Sequence, residues 1–301
     1  MVSVVIPTYN AGHYLPKLIP ALKKQTLEHE LIIIDSESTD DSAIYFKENS
    51  IPYTSIDKIS FNHGATRNLG LKLSSSNIVV FLTQDALPAD QYTLERLVNC
   101  LEKDERIAMA YGRQLPYDDT DVFGRFARLA NYPAESLLKD KSLISKLGIK
   151  TCSCSNSFAV YKKDLMELVS LFPDDTILGE DVTVAAKFIL SGYAISYCAE
   201  AQVFHSHTYS ISEEFGRYFD IGVFHRQQNN VLKYFNGAES EGLRYVLQES
   251  KFLIQNKAFQ QLPMQLLRTI AKFAGYKLGF NYQQLPKRLK VLFSMHKSFW
   301  K

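Results

Sequence analysis

The chain has 301 residues, 46% of them hydrophobic and 22% charged, which is the composition of an ordinary globular protein. This length suffices for one large α/β domain with an appendage or for two smaller domains. The formal net charge of +2 excludes a global attraction to polyanions, although residues 251–301 contain ten Lys and Arg and no Asp or Glu.

The other bulk features predict a reduced, cytosolic protein. The four cysteines show no disulfide framework, and Cys152 and Cys154 lack a second pair at zinc-ligand spacing. No segment reaches the roughly 18 consecutive apolar residues that a membrane-spanning helix needs. The N-terminus starts with a strand-like segment and lacks the basic and long apolar regions of a signal peptide.

The first 112 residues predict an α/β fold in which strands, loops and helices alternate. This repetition indicates a mostly parallel sheet with right-handed crossovers, flanked by helices. The segment Ile78–Leu82 has no polar alternation and is typical of a strand that is covered on both faces. The predicted strands of this part span residues 2–6, 30–34, 55–59, 78–82 and 107–111.

The remainder of the chain is less regular. Residues 112–155 form a long insertion, which we expect to act as a lid or an acceptor-binding loop. Further strands are predicted at 157–161, 194–198 and 201–204, and a helix opens at Gly179-Glu180-Asp181. We therefore expect an α/β unit at residues 1–215 and a helical, basic extension at residues 216–301.

Two of the predicted strands end in an aspartate, at Asp35 and at Asp85, and Arg67 lies between them along the chain. Ligands collect at the carboxyl ends of strands in open α/β sheets, so both acids are candidate ligands of a metal or a substrate. Alternatively, Asp85 only caps the helix that starts near Ala89. The two acids with an arginine between them favour a nucleotide site.

Several motifs, in order along the chain, resemble those of family 2 glycosyltransferases. They are Val4-Val5-Ile6-Pro7-Thr8-Tyr9-Asn10, Asp35 with Ser38-Thr39-Asp40, Ala65-Thr66-Arg67-Asn68-Leu69-Gly70, Asp85 and Glu180-Asp181. The subgroup that looks most similar is the bacterial rhamnosyltransferases, on the strength of Phe61-Asn62-His63-Gly64, Leu82-Thr83-Gln84-Asp85-Ala86, Tyr111-Gly112-Arg113-Gln114-Leu115-Pro116 and Asn131-Tyr132-Pro133. The resemblance covers residues 2–207. It implies an inverting enzyme of GT-A fold that uses a nucleotide-sugar donor.

The resemblance also implies a donor site, formed by Pro7, Thr8, Tyr9, Asp35, Arg67, Gln84 and Asp85. Asp35 would accept a hydrogen bond from a pyrimidine N–H or a sugar hydroxyl, and Arg67 would bind phosphate oxygens. Alternatively, Tyr9 is a core residue, and Arg67 is a surface arginine paired with Asp35 or Asp85. His63 either contacts the donor or only forms a polar turn.

The metal motif of the family usually has acids at both ends of an Asp-x-Asp triplet, whereas this chain has Thr83-Gln84-Asp85. Asp85 is then the only strong oxygen ligand in the loop, and a divalent ion needs another protein group. The resemblance indicates His205 as that group. His207 is the less favoured ligand, because an extended strand end places it further out. Imidazole suits Mn²⁺ better than Mg²⁺, so we expect Mn²⁺ first.

Inversion requires a carboxylate on the acceptor's side of the sugar, and the resemblance assigns this general base to Asp181. Glu180 would orient the acceptor or the base. Alternatively, both residues are first-turn acids that favour the helix dipole. Because the metal triplet lacks its first acid, a catalytically silent nucleotide-sugar-binding or polysaccharide-assembly protein remains open as an alternative.

The resemblance to the rhamnosyltransferases implies transfer of L-rhamnose from dTDP-rhamnose to a saccharide or lipid-linked saccharide in the synthesis of a surface polysaccharide. The same fold with a UDP-hexose donor is the nearest variant. A nucleotidyltransferase is disfavoured, because the chain lacks the N-terminal glycine-rich, basic phosphate loop of such enzymes.

The basic tail carries interleaved aromatic residues, a composition that suits an anionic lipid surface. Nucleic acid and a solvated helical face are the alternatives, and we expect no nucleic-acid partner. The expected location is the cytoplasm, with the enzyme peripheral at the inner face of the plasma membrane. The sequence leaves the oligomeric state open.

Overall fold

The computed structural model of the chain describes residues 1–235 and 238–300, without the side chains of residues 238–241. The strands in this part of the chain are β1 (Val2–Thr8), β2 (His29–Asp35), β3 (Tyr53–Ser55), β4 (Ile78–Leu82), β5 (Leu87–Pro88), β6 (Ile107–Leu115), β7 (Leu137–Lys139), β8 (Phe158–Lys162) and β9 (Ala194–Phe204). They form one sheet in the order β3-β2-β1-β4-β8-β6-β9-β5, and β7 pairs with β9.

The sheet is mostly parallel, as predicted. β1, β2, β3, β4, β6 and β9 run in one direction, whereas β5, β7 and β8 are antiparallel to their neighbours. We call the side of the sheet at which these six strands end the carboxyl edge. Residues that follow β1, β2, β4 and β9 therefore lie along the same edge, although they are far apart in the chain.

The α-helices are α1 (Leu15–Lys23), α2 (Ser42–Glu48), α3 (His63–Leu73), α4 (Thr93–Glu102), α5 (Val122–Asn131), α6 (Ile144–Leu147), α7 (Lys163–Leu168), α8 (Glu180–Leu190), α9 (Ile211–Gln227), α10 (Asn229–Leu232), α11 (Ala238–Gln255), α12 (Leu262–Phe280) and α13 (Lys287–Phe293). Short 3-10 turns span Lys58–Ser60, Lys141–Leu143, Gly148–Thr151, Phe259–Gln261, Tyr282–Gln284 and Lys297–Trp300. Within residues 1–235 and 238–300, no helix combines the length and the apolar character required to cross a bilayer.

The central strands are covered on both faces, which confirms the prediction from their unbroken apolar sequence. Alternate residues of β4 enter two different hydrophobic clusters, so Val79 and Phe81 lie on one face and Val80 on the other. One cluster includes Leu18 of α1, and the opposite one includes Val184 of α8. Helices on both faces thus bury the sheet, so that ligands can reach it at its carboxyl edge.

The sequence-based strand boundaries were wrong in three places. The predicted strand 107–111 continues as β6 to Leu115, into the predicted insertion of residues 112–155. The predicted strand at 55–59 is the strand Tyr53–Ser55 followed by a 3-10 turn, because the side chain of Asp57 accepts a hydrogen bond from the backbone N–H of Ile59. The predicted strands 194–198 and 201–204 are one strand, β9. Its pairing with β6 jumps from Cys198 to Gln202, so the residues between them form an irregularity rather than a break.

The C-terminal helices dock on the α/β unit. α12 crosses α9 so closely that a Cβ on Gly279 would stand 1.9 Å from the carbonyl oxygen of Phe219. At the end of the chain, Trp300 joins the cluster that covers one face of the sheet. Because α9 continues across residue 215, the division into units at 1–215 and 216–301 stays a prediction.

Candidate active site

The ends of β1 and β2 form the first part of the site. Asp35 is buried and accepts hydrogen bonds from the Thr8 hydroxyl at 2.9 Å and from the backbone N–H and hydroxyl of Ser38 at 2.9 and 2.6 Å. Tyr9 has 36% of its surface exposed, so it is not a core residue, and the ammonium of Lys58 lies 4.3 Å from its ring centroid. Pro7 is partly buried near the end of β1.

Gln84 connects the end of β4 to the end of β1. Its Oε1 accepts a hydrogen bond from the backbone N–H of Tyr9 at 2.8 Å, and its Nε2 donates to the carbonyl oxygen of Tyr9 at 3.0 Å. The middle residue of the Thr83-Gln84-Asp85 triplet thus holds the loop after β1 in place. This contact links the residues predicted to bind the donor to those predicted to bind the metal.

Asp85, His205 and His207 form a compact group of potential metal ligands. The Nε2 atoms of His205 and His207 lie 3.3 and 3.7 Å from Oδ2 of Asp85, and the ligand atoms all lie within 4.8 Å of one another. His205 is buried, whereas the His207 side chain is 36% exposed. His207 lies further out than His205, as expected, but two residues apart on an extended segment both rings still face the same carboxylate. The assignment of His205 and His207 as metal ligands stays a prediction.

The two histidines also set the charge state of Asp85. Burial raises the pKa of Asp85, but the hydrogen bond and charge of His205 and the charge of His207 outweigh it and leave this pKa well below its usual range. A cavity of about 330 Å³ opens beside the group, with Tyr14, Lys17 and Tyr117 in its wall.

The second part of the site is the start of α8. Gly179, with φ of +76°, lets the chain turn into the helix. The carboxylate of Asp181 accepts hydrogen bonds from the backbone N–H groups of Asn156 at 2.9 Å and Val182 at 2.8 Å. Asn156 lies just before β8, whose first residue pairs with Leu82 at the end of β4, so the predicted base contacts the segment beside the strand that Asp85 follows.

Glu180 and Asp181 are adjacent carboxylates with opposite pKa shifts. Burial and then the charge of Glu180 raise the pKa of Asp181 to about 7. Burial also raises the pKa of Glu180, but the charges of Arg67 and His63 outweigh it, so the pKa of Glu180 is lowered. The Arg67 guanidinium lies 3.0 Å from Oε1 of Glu180, and both side chains are at most 7% exposed.

Arg67 is buried and His63 is partly buried, and both lie next to Glu180. Arg67 also donates to the carbonyl oxygen of His63 at 3.1 Å, and its Nε is buried without a hydrogen-bond partner. The alternative of a surface arginine paired with Asp35 or Asp85 is wrong, since the partner is Glu180. Burial lowers the pKa of His63 to about 4, and its ring contacts that of His296 at 5.4 Å. Donor contacts of Arg67 and His63 stay predictions.

Three residues of this region were missed by the sequence interpretation. Gln114 contacts His205, Asn156 contacts Asp181 and Glu180, and His296 contacts His63. Gln114 lies inside the Tyr111–Pro116 motif, which was a usable signal. Asn156 and His296 carry no local signal, because their contacts form only when distant segments fold together.

Known proteins support these assignments at the level of family and fold. The model of Glycosyl transferase family 2 matches residues 3–169. O-antigen chain rhamnosyltransferase RfbN of Salmonella typhimurium strain LT2 is 46% identical over 302 residues, covering 99% of this chain and 96% of that protein. O-antigen chain rhamnosyltransferase WbaN of Salmonella anatum is 45% identical, with 99% and 95% coverage.

Solved structures share the fold at low sequence identity. The mannosyltransferase PcManGT from Pyrobaculum calidifontis, in complex with GDP-Man and Mn²⁺, has a TM-score of 0.58 at 18% identity, covering 97% of this chain and 84% of that one. Staphylococcus aureus TarS 1–349 has a TM-score of 0.52 at 16% identity, with 94% and 91% coverage. These matches confirm the predicted GT-A fold with its helical C-terminal region. The family match and the full-length relatives together show that the chain belongs to glycosyltransferase family 2.

Proposed function

We propose that this glycosyltransferase inverts the anomeric centre while moving L-rhamnose from dTDP-rhamnose to a saccharide in the synthesis of a surface polysaccharide. Two relatives named as O-antigen chain rhamnosyltransferases, at 45–46% identity over almost the full length, support the sugar and the pathway class. The observation that carries the catalytic part is the pKa of Asp181, which lies near 7 where a general base works best.

In the proposed reaction, a carboxylate oxygen of Asp181 accepts the proton of the acceptor hydroxyl as that oxygen attacks the anomeric carbon. The thymidine diphosphate leaves from the opposite face. The backbone N–H groups of Asn156 and Val182 hold the carboxylate in one orientation, which reduces the entropy lost on reaction. Glu180 raises the proton affinity of the base, and Arg67 keeps Glu180 ionised.

The residues after β1 and β2 are proposed to bind the nucleotide. Both carboxylate oxygens of Asp35 already accept hydrogen bonds within the protein. Asp35 would therefore hold Thr8 and Ser38 in position and also accept a hydrogen bond from the pyrimidine of the nucleotide. Tyr9 presents an exposed ring, and Lys58 above it adds positive charge suited to a diphosphate donor. Pro7 and Gln84 fix this loop, the latter through its two hydrogen bonds to Tyr9.

A divalent cation fits the group of Asp85, His205 and His207, because one carboxylate and two imidazoles within 4.8 Å of one another form a mixed oxygen and nitrogen set. Such a set suits Mn²⁺ first and Mg²⁺ second. When bound, the cation would neutralise negative charge on the diphosphate leaving group. The imidazole of His207 would serve as the third ligand, in place of the acid that the triplet lacks.

A nucleotide-release panel tests the proposal. The purified enzyme is mixed with Mn²⁺, a saccharide acceptor and one of three donors, dTDP-rhamnose, UDP-glucose or GDP-mannose. The nucleoside diphosphate that is released is then measured. We expect release from dTDP-rhamnose only. Faster release from UDP-glucose would replace rhamnose by a hexose in the proposal. No release from any donor, with binding retained in a thermal-shift assay, would favour the silent nucleotide-sugar-binding alternative.

The C-terminal helices are proposed to bind an anionic membrane surface from the cytoplasmic side, where a lipid-linked acceptor would be held. Leu266, Ile270 and Phe273 recur every three or four residues on α12, so they share one face, and each is 56–63% exposed. The opposite face, with Gly275 and Gly279, packs on α9. Residues 251–301 add ten basic residues without an acid, which suits anionic lipids.

Point substitutions test this surface better than truncation, because Trp300 belongs to the core and Asp220 accepts hydrogen bonds from the backbone N–H groups of Met295 and His296. We expect the double change I270E/F273E to abolish co-sedimentation with phosphatidylglycerol vesicles. The matched control is Leu168→Glu, which alters an exposed leucine outside the tail. Unchanged sedimentation of I270E/F273E, or a dimer that this variant dissociates, would contradict membrane binding by this face.

A further inference from the structure

Two residues, Gln114 and Arg128, form a chain of hydrogen bonds that ends at His205, one of the three potential metal ligands. Gln114 lies on β6, and only 1% of its surface is exposed. β6 and β9 pair side by side, and the backbone N–H of His205 donates to the carbonyl oxygen of Leu115 at 2.9 Å. The sheet itself therefore brings the side chain of Gln114 next to the ring of His205.

The hydrogen bonds around Gln114 determine which ring nitrogen of His205 carries a proton. The Nη1 group of Arg128 donates to Oε1 of Gln114, and a guanidinium can only donate, so this oxygen is the acceptor. Nδ1 of His205 lies 2.8 Å from the same oxygen. For this contact to be a hydrogen bond, Nδ1 must carry the proton and donate it.

The consequence appears at the other nitrogen of the ring. A neutral imidazole with its proton on Nδ1 presents a lone pair on Nε2. Nε2 of His205 lies 3.3 Å from Oδ2 of Asp85 and hydrogen-bonds to it, and Nε2 of His207 lies 3.7 Å from the same oxygen. A cation that replaced the proton on Nε2 would meet the lone pair of that nitrogen, because Nδ1 keeps its own proton, which it donates to Gln114. Lone pairs that converge on one point from a carboxylate and an imidazole are the arrangement that a cation stabilises.

We propose that Gln114 is a positioning residue that orients His205 as a metal ligand, and that Arg128 fixes the amide of Gln114 in turn. The inference rests on the proposed cation site of Asp85, His205 and His207. It also connects that site to α5, the helix that carries Arg128, which lies in the insertion of residues 112–155. A residue of that insertion thereby acts on the metal through two hydrogen bonds.

Four variants separate this role from simple packing. Gln114→Leu removes the acceptor at similar size, whereas Gln114→Glu keeps it. Arg128→Met removes the donor, whereas Arg128→Lys keeps it. The dissociation constant of Mn²⁺ is measured from the electron paramagnetic resonance signal of the free ion, without any substrate. We expect Gln114→Leu to weaken Mn²⁺ binding by about 10–100-fold and Arg128→Met by less, with binding restored towards the wild type in the two conservative variants.

The outcomes distinguish the two levels of the proposal. Equal Mn²⁺ affinity of wild type and Gln114→Leu overturns the role of Gln114 and leaves the cation site intact. Absence of Mn²⁺ binding by the wild type overturns both. If Gln114→Leu fails to fold, long-range ¹H–¹⁵N NMR of the wild-type histidines decides instead. A proton on Nε2 of His205, rather than on Nδ1, would overturn the inference.

Discussion

Asp85 and Asp181 follow or adjoin neighbouring strands of one sheet, yet the protein treats these two carboxylates in opposite ways. Asp85 faces two imidazoles, and its pKa is held well below the usual range. Asp181 is partly buried and stands next to a second carboxylate, and burial together with the charge of Glu180 raises its pKa to about 7. The difference arises from the neighbours alone, because the residue type is the same.

The two pKa shifts suit two different functions of a carboxylate within one site. A carboxylate that must stay ionised to hold a cation needs positive or hydrogen-bonding neighbours. A carboxylate that must accept a proton near neutral pH needs burial and a negative neighbour. Glu180 supplies that negative charge and is itself kept ionised by Arg67, so the pKa of Asp181 depends on both residues.

The largest expected effect comes from removing the base. Asp181→Asn keeps the shape of the side chain but cannot accept a proton, so we expect the kcat for rhamnose transfer to fall by about 10²–10⁴-fold. Donor binding, measured by calorimetry with dTDP-rhamnose and Mn²⁺, should remain. The matched control is Asp174→Asn, an exposed aspartate near the same helix. An active Asp181→Asn enzyme would remove the base from this position.

Changing the other carboxylate should affect the metal instead. Asp85→Asn removes a charged ligand, so we expect Mn²⁺ affinity to fall by more than the roughly 10–100-fold that outer-shell changes cost. Asp181→Asn should bind Mn²⁺ as the wild type does. If the two variants lose Mn²⁺ affinity equally, the proposal that Asp85 binds the metal and Asp181 does not is wrong.

Glu180→Gln tests how the base is tuned. Without the charge of Glu180, the pKa of Asp181 should fall, and the acid limb of the pH profile of kcat should move from near pH 7 to lower pH. The variant leaves Arg67 buried without its partner, which costs about 3–5 kcal/mol in the free energy of unfolding. The double variant E180Q/R67M should recover part of that loss. A pH profile unchanged in Glu180→Gln would contradict the coupling.

A further expected effect is on stability as a function of pH. The pKa of Asp181 is about 7 in the folded protein against 3.8 for the free side chain, so its ionisation disfavours folding above pH 7. Asp181→Asn should therefore melt at a higher temperature than the wild type at pH 8. The gain should shrink as the pH falls from 7 towards 4. A constant difference in melting temperature across this range would mean that the pKa of Asp181 is not raised.

Much of this site follows from the sequence because strand ends are easy to recognise. Asp35 and His205 come directly after a predicted strand and Asp85 follows one by three residues, and the parallel sheet brings such ends together. The partner of Arg67 could not be predicted, because Glu180 lies more than a hundred residues away and nothing local selects it over the other acids. The antiparallel direction of β8 also had no signal in its apolar sequence.

That reversed strand contributes a backbone donor to the proposed base. Whereas the parallel strands end at this edge, β8 begins there, and the segment ahead of it directs the backbone N–H of Asn156 at Asp181. The direction of one interior strand therefore selects the residue that, together with Val182, holds the carboxylate in place.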